Sequence, residues 1–225
     1  MADFDPKNRR PLHTNVKAVV DQIIDGYKVV EPRASHWVQK DGIQNCWDAR
    51  KEKLNKSKKW KCEIELIKKD GHTIVTITDF GSVGLTGRRL DAKDLAKPNI
   101  DPIHRYSRFE NYAFANDNRQ TQHLLGSRGR GKFVFHGASK TMAIMWETLR
   151  DDKEYWLGGR VVVNLTPDND FEKGDAAKKI LISKTNGLLK PLTHVGSRII
   201  IFNPVKEMID DIVDGTMERF ISETW

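Results

Sequence analysis

Four short stretches of the chain carry residues able to handle a phosphorylated ligand. One is LLGSRGRGKFVF, Leu124 to Phe135. From Gly126 to Lys132 it reads G-x-x-x-x-G-K, and a P-loop needs Ser or Thr next, because that hydroxyl holds Mg²⁺. Phe133 stands there instead, and no clear strand leads into the segment, so a P-loop fails on both chemistry and context. Gly126, Gly129 and Gly131 still free backbone N–H groups to approach an anion. They sit just ahead of an expected helix, whose N-terminus carries partial positive charge, and Lys132 adds a full one. An ordinary glycine turn is the competing reading.

A second stretch is DGIQNCWDA, residues 41–49. Asp41, Asn45 and Asp48 are spaced four and three apart, so on a helix they share one face. Ile43, Cys46 and Trp47 point largely elsewhere. A side-chain oxygen there can bind Mg²⁺, and a carboxylate can take a proton from water; a solvated polar face needs the same pattern. In the third, DFGSVGLTG (residues 79–87), Asp79 ends a strand and Gly81 and Gly84 follow. A carboxylate there can accept from a base amine while the backbone passes close by, or the segment is only a tight turn. In the fourth, HVGSRIII (residues 194–201), the small hydroxyl of Ser197 precedes an apolar run.

These residues need elements to hold them. Val16, Val19, Val20, Ile23 and Ile24 follow helical spacing, with Thr14 as N-cap and Gly26 as stop. A second helix is expected from Ser35 to about Leu54, its apolar stripe including Ile43, Trp47 and Leu54. The period then changes to two. Cys62–Lys68 and Thr73–Thr78 should pair antiparallel about the turn Asp70-Gly71, the second strand ending on Asp79. Residues 88–125 are polar and irregular, with Pro98 and Pro102, as in a functional lid or mobile loop. A helix is expected from about Phe133 to Leu149, with Ala138, Met142, Met145 and Leu149 on one face. Strands are expected at Gly159–Leu165, Lys179–Ser183 and Arg198–Phe202. A final amphipathic helix, carrying Met208, Ile209, Ile212, Val213, Met217, Phe220 and Ile221, runs almost to Trp225. A chain that stops inside a helix reads as a fragment, with an output region following it.

The chain length suits one large domain or two small ones. The 225 residues are enough to bury a real core. No apolar run approaches a membrane span, the N-terminus lacks a signal-peptide core, and Cys46 and Cys62 are too few for a disulfide framework. We expect a cytoplasmic protein with plain core thiols. A net charge of +7 favours an anionic partner, nucleotide or nucleic acid. The densest basic run is Arg50, Lys51, Lys53, Lys56, Lys58, Lys59 and Lys61.

In order and spacing, the four stretches resemble the GHKL ATPase superfamily, which includes gyrase-type topoisomerases, the ninety-kilodalton heat-shock chaperones, histidine kinases, MutL and the related MORC proteins. The family's site reads E-x-x-x-N-x-x-D-A on a helix, D-x-G-x-G after a strand, a lid, G-x-x-G-x-G before a helix, and G-T-[KR] leading a late strand. This chain has D-x-x-x-N-x-x-D-A, D-x-G-x-x-G, a long irregular stretch, G-x-x-G-x-G-K and G-S-R in the same order, across residues 14–202.

The resemblance implies an α/β (α+β) domain of Bergerat type: a two-layer sandwich of a mixed, mainly antiparallel sheet with helices on one face. It spans residues 1–225, with 88–125 as ATP lid and 203–225 as a C-terminal helix leading to any output region. It implies ATP and Mg²⁺ as ligands. By position, Asn45 is the metal ligand, Asp41 the catalytic carboxylate, and Asp48 and Ala49 complete the helix box. Asp79 reads adenine with Ser197 in support, Gly81 and Gly84 shape the base pocket, and Gly126, Gly129, Gly131 and Lys132 wrap the phosphates. ATP would order the lid and promote a homodimer or docking of the output region, which would be the route to any nucleic acid.

Two departures stand out. Asp41 replaces the usual glutamate, a shorter arm for positioning water, and the first glycine box has one extra residue, Ser82 or Val83. Two other functions are weighed. A histidine-kinase catalytic domain is disfavoured by the pair Asp48-Ala49 and by the lack of an upstream phospho-acceptor helix pair. A basic nucleic-acid-binding module explains the charge but not the ordered boxes.

Overall fold

Residues 16–50, 60–95, 101, 103–110, 131–162 and 168–225 are described in the computed structural model. Period-two segments become strands: β1 (Lys61–Lys69), β2 (His72–Phe80), β3 (Ala143–Leu149), β4 (Tyr155–Val161), β5 (Asp168–Lys173) and β6 (Gly196–Phe202). They form one sheet in the order β1-β2-β6-β3-β4-β5, antiparallel in each of these pairings. Asp70 and Gly71 take φ of 50° and 77°, the conformation a two-residue hairpin turn demands. The expected hairpin is therefore present, one residue longer at each end of β1 and running to Phe80 on β2.

Alternation along the strands sorts the core into two layers. Val75, Ile77, Ile144, Trp146, Trp156, Ile199 and Ile201 face one side. Ile74, Met145, Tyr155, Leu157 and Ile200 face the other. The first side carries the main helical layer: α1 (Val16–Val30), α2 (Ala34–Asp48), α5 (Phe133–Gly137), α7 (Lys206–Val213) and α8 (Thr216–Thr224). Val20, Ile24, Trp37, Val38, Phe135, Met208 and Met217 fill it, each fully buried aliphatic or aromatic side chain contributing about 1.5–3 kcal/mol. A mainly antiparallel sheet with helices on one face is thus what the chain forms. One further helix, α6 (Gly174–Lys184), covers part of the second face with Ala177 and Leu181.

The helix carrying Asp41 and Asn45 is fixed at both ends. Arg33 gives α2 no side-chain cap, so α7 supplies one: the Ala34 N–H donates to Glu207 Oε1 at 3.1 Å. Beside it, the Arg33 guanidinium and the Ser35 hydroxyl both bond the buried Asp211 carboxylate. At the other end, Val83 N–H donates to Ala49 O at 3.0 Å, and Arg50 bridges Ser82. The end of α2 is thereby tied to the loop that follows β2.

Several expected elements differ. Gly26 does not stop α1, which continues to Val30; a Cβ there would meet nothing, so the position is simply exposed. The second helix ends at Asp48 rather than about Leu54, and Trp47 is half exposed; Leu54 lies outside the described residues, as does Thr14. The helix expected over 133–149 is only α5. Its Gly137 presses on Ile24 and Trp37, Met142 turns the chain with φ of 49°, and residues 143–149 become β3. A central strand buried on both faces has no period of two to reveal it. The strand expected at 179–183 is part of α6, whose Ala177 and Leu181, one turn apart, are the buried pair while Ile180 and Ile182 stay on the outside. β4 lies at 155–161 rather than 159–165, and the acidic edge strand β5 was not anticipated. The C-terminal helix is two helices, broken at Gly215 with φ of 80°.

Within 88–125, the described part contains α3 (Ala92–Leu95) and α4 (Arg105–Glu110). Tyr106 is fully buried against Trp146, Trp156 and Phe171. Ser107 Oγ accepts from Leu90 N–H at 2.7 Å and donates to Arg88 O, and Arg89 pairs with Glu110 through two contacts of 2.9 Å. This half of the segment is therefore stitched into the helical layer. Residues 111–125, with Gly126 and Gly129, lie outside the described residues.

Candidate functional site

Asp79 sits near the end of β2, where the strand passes beneath α2, and only 3% of it is exposed. Three donors converge on its carboxylate. Ser82 Oγ reaches Oδ1 at 2.6 Å, Ser197 N–H reaches Oδ1 at 2.7 Å, and Ser197 Oγ reaches Oδ2 at 3.3 Å. Gly196 makes this approach possible, since a Cβ there would lie 2.5 Å from Asp79 Oδ1. Burial pushes the carboxyl up to about 6; the bonds from Ser82 and Ser197, and the charge of Arg105, pull it back only in part. At pH 7 it is mostly ionised. A buried anion with one oxygen doubly engaged and the other held by one long contact retains acceptor capacity on Oδ2.

The glycine loop behind it follows the same logic. Gly81 and Gly84 take φ of 75° and 70°, and a Cβ on Gly84 would lie 2.6 Å from Thr148 Oγ1. That hydroxyl donates to Gly196 O at 2.9 Å and accepts from Leu85 N–H at 3.0 Å, locking β3, β6 and the loop together. Ser82 and Val83, one of which is the extra residue of the loop, are both engaged: besides binding Asp79, Ser82 accepts from Gly84 N–H at 3.0 Å, and Val83 N–H donates to Ala49 O. His194 stacks on Phe80 at 4.1 Å, and its Nε2 lies 3.1 Å from Asp79 O.

The helix face and Gly131, the described glycine of the second glycine stretch, meet at Asp41. A Cβ on Gly131 would lie 3.3 Å from Asp41 Cγ, a tight contact that would make the Asp41 side chain give way slightly. The Tyr27 hydroxyl donates to Asp41 Oδ2 at 2.7 Å. Burial raises the Asp41 carboxyl above its ordinary value, against the bond from Tyr27 and the charge of Lys40. Asn45 and Asp48 are half buried on the same helix, and Ala49 is buried at its end. Lys132 behaves differently from a phosphate ligand here. It is buried and donates to Arg108 O at 2.8 Å, and burial, with Arg160 and Arg108 nearby, holds its amine well below the usual lysine range. In this conformation it braces α4 against α5.

Asp79 and Ser197 are thus joined with the Gly81–Gly84 loop at the end of β2, Ala49 ties the end of α2 to that loop, and Asp41 meets Gly131 further back on the same helix, which also bears Asn45 and Asp48. Sequence reasoning missed Tyr27, Arg105 and the bonding role of Ser82. Arg105, on α4, lies close enough to feel the charges of both Asp48 and Asp79, although burial lowers its own basicity. Only the extra residue at Ser82 or Val83 left a trace in the motif; Tyr27 and Arg105 reach the site from elements with no motif of their own.

Among the described residues, no group of three or more His, Cys, Asp or Glu side chains forms a metal centre. Mg²⁺ bound with substrate phosphates needs only one or two protein oxygens, so the donor set at Asn45 and its neighbours fits that ion better than a metal held by protein alone. A cavity of about 640 Å³ lies on the opposite face, between α6 and strands β3–β5, away from Asp79. Among the described residues, no helix is long and apolar enough to cross a membrane. The chain matches no family model and no curated protein.

Proposed function

We propose that the chain is a Bergerat-type adenine-nucleotide-binding domain that hydrolyses ATP slowly with Mg²⁺ and uses the nucleotide as a conformational switch. The observation that carries this reading is Asp79: a carboxylate buried at a strand end, kept in place by Ser82 and Ser197 on the sheet beneath the helix that bears Asn45 and Asp41. Burying a charge with so little opposite charge beside it is costly. A ligand amine on Oδ2 would recover part of that cost.

In this reading Asp79 accepts from the exocyclic amine of adenine, and the two serines hold the carboxylate so that Oδ2 faces the base. Gly81 and Gly84 let the backbone pass beside the ring. Asn45 supplies a side-chain oxygen for Mg²⁺, which when bound neutralises phosphate charge. Asp41 lies about 6 Å along the helix from Asn45. Its carboxylate, oriented by Tyr27 and more basic than usual, receives a proton from water. Being shorter than glutamate it positions that water less well, and an error on the order of 1 Å costs about a hundredfold in rate. Lys132 leaves Arg108 O if it is to reach a phosphate. Lid closure over residues 88–125, an ATP-dependent homodimer and a cytoplasmic location belong to the same proposal.

Base selectivity tests it. A fluorescent adenine nucleotide should be displaced by ADP and not by GDP, whose ring presents a carbonyl where adenine presents its amine. Equal displacement by both would remove Asp79 from the role of base reader.

A further inference from the structure

The two cysteines of the chain lie on different elements, and the packing brings them to one place. A Cβ on Gly42 would lie 3.2 Å from Ile77 Cδ1, so α2 rests on β2 at that level. The end of α2 meets the loop after β2 through Val83 N–H and Ala49 O, so helix and strand run in the same direction. Cys46 lies four residues beyond Gly42, about 6 Å along the helix. Asp79 lies two residues beyond Ile77, about 7 Å along the strand and on the same face. Directly across the ladder from Asp79 is Cys62. Cys46 belongs to the buried core, and Cys62, half buried, packs against that core. Trp60, just ahead of β1, fastens the two elements by donating from Nε1 to Cys46 O at 3.1 Å.

We infer that Cys46 and Cys62 are an oxidisable dithiol that closes to a disulfide between α2 and β1, beside Asp79. The Cys46 and Cys62 side chains are close enough to interact. Cys46 is buried and out of direct reach of an oxidant in solution, so its place is to resolve an intermediate formed at its neighbour. The half-buried Cys62 is the thiol that meets the oxidant. With hydrogen peroxide, the Cys62 thiolate attacks one oxygen, the O–O bond breaks, and after proton uptake one water leaves and a sulfenic acid remains. The sulfur of Cys46 then attacks the Cys62 sulfur as its proton is lost. The S–O bond breaks, a second water leaves, and the S–S bond forms. Two thiols lose two electrons and two protons in all, and one peroxide becomes two waters.

Closing the bond draws the last turn of α2 towards the sheet. That turn holds Asn45 and Asp48 above Asp79, so the gap between helix and carboxylate narrows. This consequence rests on the proposed nucleotide site; formation of the bond does not. We expect adenine-nucleotide affinity to fall about 5–150-fold on oxidation, the range of ordinary couplings between sites, and to return on reduction.

The test compares the full chain with Cys62→Ser before and after hydrogen peroxide. After oxidation the denatured wild-type monomer should be lighter by two hydrogen atoms, resist alkylation at both positions, yield a peptide linking Cys46 to Cys62, and regain both thiols with dithiothreitol. Cys62→Ser, changed at the half-buried position so that the core stays filled, should show no such loss. Persistence of two alkylatable thiols, or cross-linking only between separate chains, would overturn the inference. ADP titration of the reduced and oxidised forms gives the second readout. A disulfide that leaves ADP affinity unchanged overturns the coupling to the site. A disulfide in a chain that binds ADP in neither form supports the dithiol and defeats the nucleotide reading instead.

Discussion

Replacing Asp79 with asparagine separates what the residue costs the fold from what it does for a ligand. The side chain is buried, and its carboxyl is pushed from 3.8 up to about 6. The folded state therefore holds this proton more tightly than the unfolded chain. As pH rises from about 4 to 6 the unfolded state loses the proton first, and stability falls across that window, then levels off above it. At about 1.4 kcal/mol per tenfold change, the ionised carboxylate costs the folded state about 3 kcal/mol at pH 8. Asparagine removes the charge and keeps the shape. Its oxygen still accepts from Ser82 and from Ser197 N–H, and its amide can donate to Ser197 Oγ. Asp79→Asn should therefore match the wild type near pH 4 and exceed it by about 1–3 kcal/mol at pH 8. Urea unfolding followed by tryptophan fluorescence at both pH values measures this. Asp41 and Glu147, also raised by burial, are common to both proteins and cancel in the difference. The same variant should lose about 1.5–3 kcal/mol of adenine-nucleotide binding, having exchanged an ionised acceptor for an amide. A variant less stable than wild type at pH 8, or a difference that ignores pH, would refute the buried-anion reasoning. Unchanged nucleotide affinity would refute the base-reading role.

Other outcomes follow from the same geometry. Asp41→Ala should keep ATP affinity and lose hydrolysis, whereas Asn45→Ala should weaken Mg²⁺-dependent binding itself. Wild-type turnover by Asp41→Ala in a phosphate-release assay would move the base elsewhere, with Asp48 and Gln44 next in line. Gly158 faces the ring of Trp146 across the β3–β4 ladder, with no room for a Cβ. Gly158→Ala should cost about 1–3 kcal/mol by overpacking, and an unchanged urea midpoint would mean that Trp146 moves freely. A non-hydrolysable ATP analogue should slow tryptic cleavage across residues 88–125, and equal cutting with and without it would argue against nucleotide-driven closure.

Legibility in the sequence followed the physics of each element. The β1–β2 hairpin could be read because one face of β1 is half exposed and Asp70-Gly71 is a specific turn. β6 could be read from its run of isoleucines between β2 and β3. β3 could not: it is buried on both faces, and Ala138, Met142, Met145 and Leu149 mimic a helical stripe that the turn at Met142 interrupts. α6 was mistaken for a strand because Ile180 and Ile182 alternate, although they lie outside and Leu181 lies inside. At the site, the bond between Ser197 and Asp79, 118 positions apart, matches what the family resemblance implied, whereas the residues around Ser197 carry no pattern that points to it. Tyr27 on Asp41 and Lys132 on Arg108 O depend on how α1, α4 and α5 pack, and no local pattern encodes them.

Calorimetric titration of the chain with ADP and ATP, each with and without Mg²⁺, addresses the central claim most directly. The account predicts saturable binding of both nucleotides, with ATP strengthened by Mg²⁺ and both weakened in Asp79→Asn. No heat of binding from either nucleotide at millimolar concentration would contradict it.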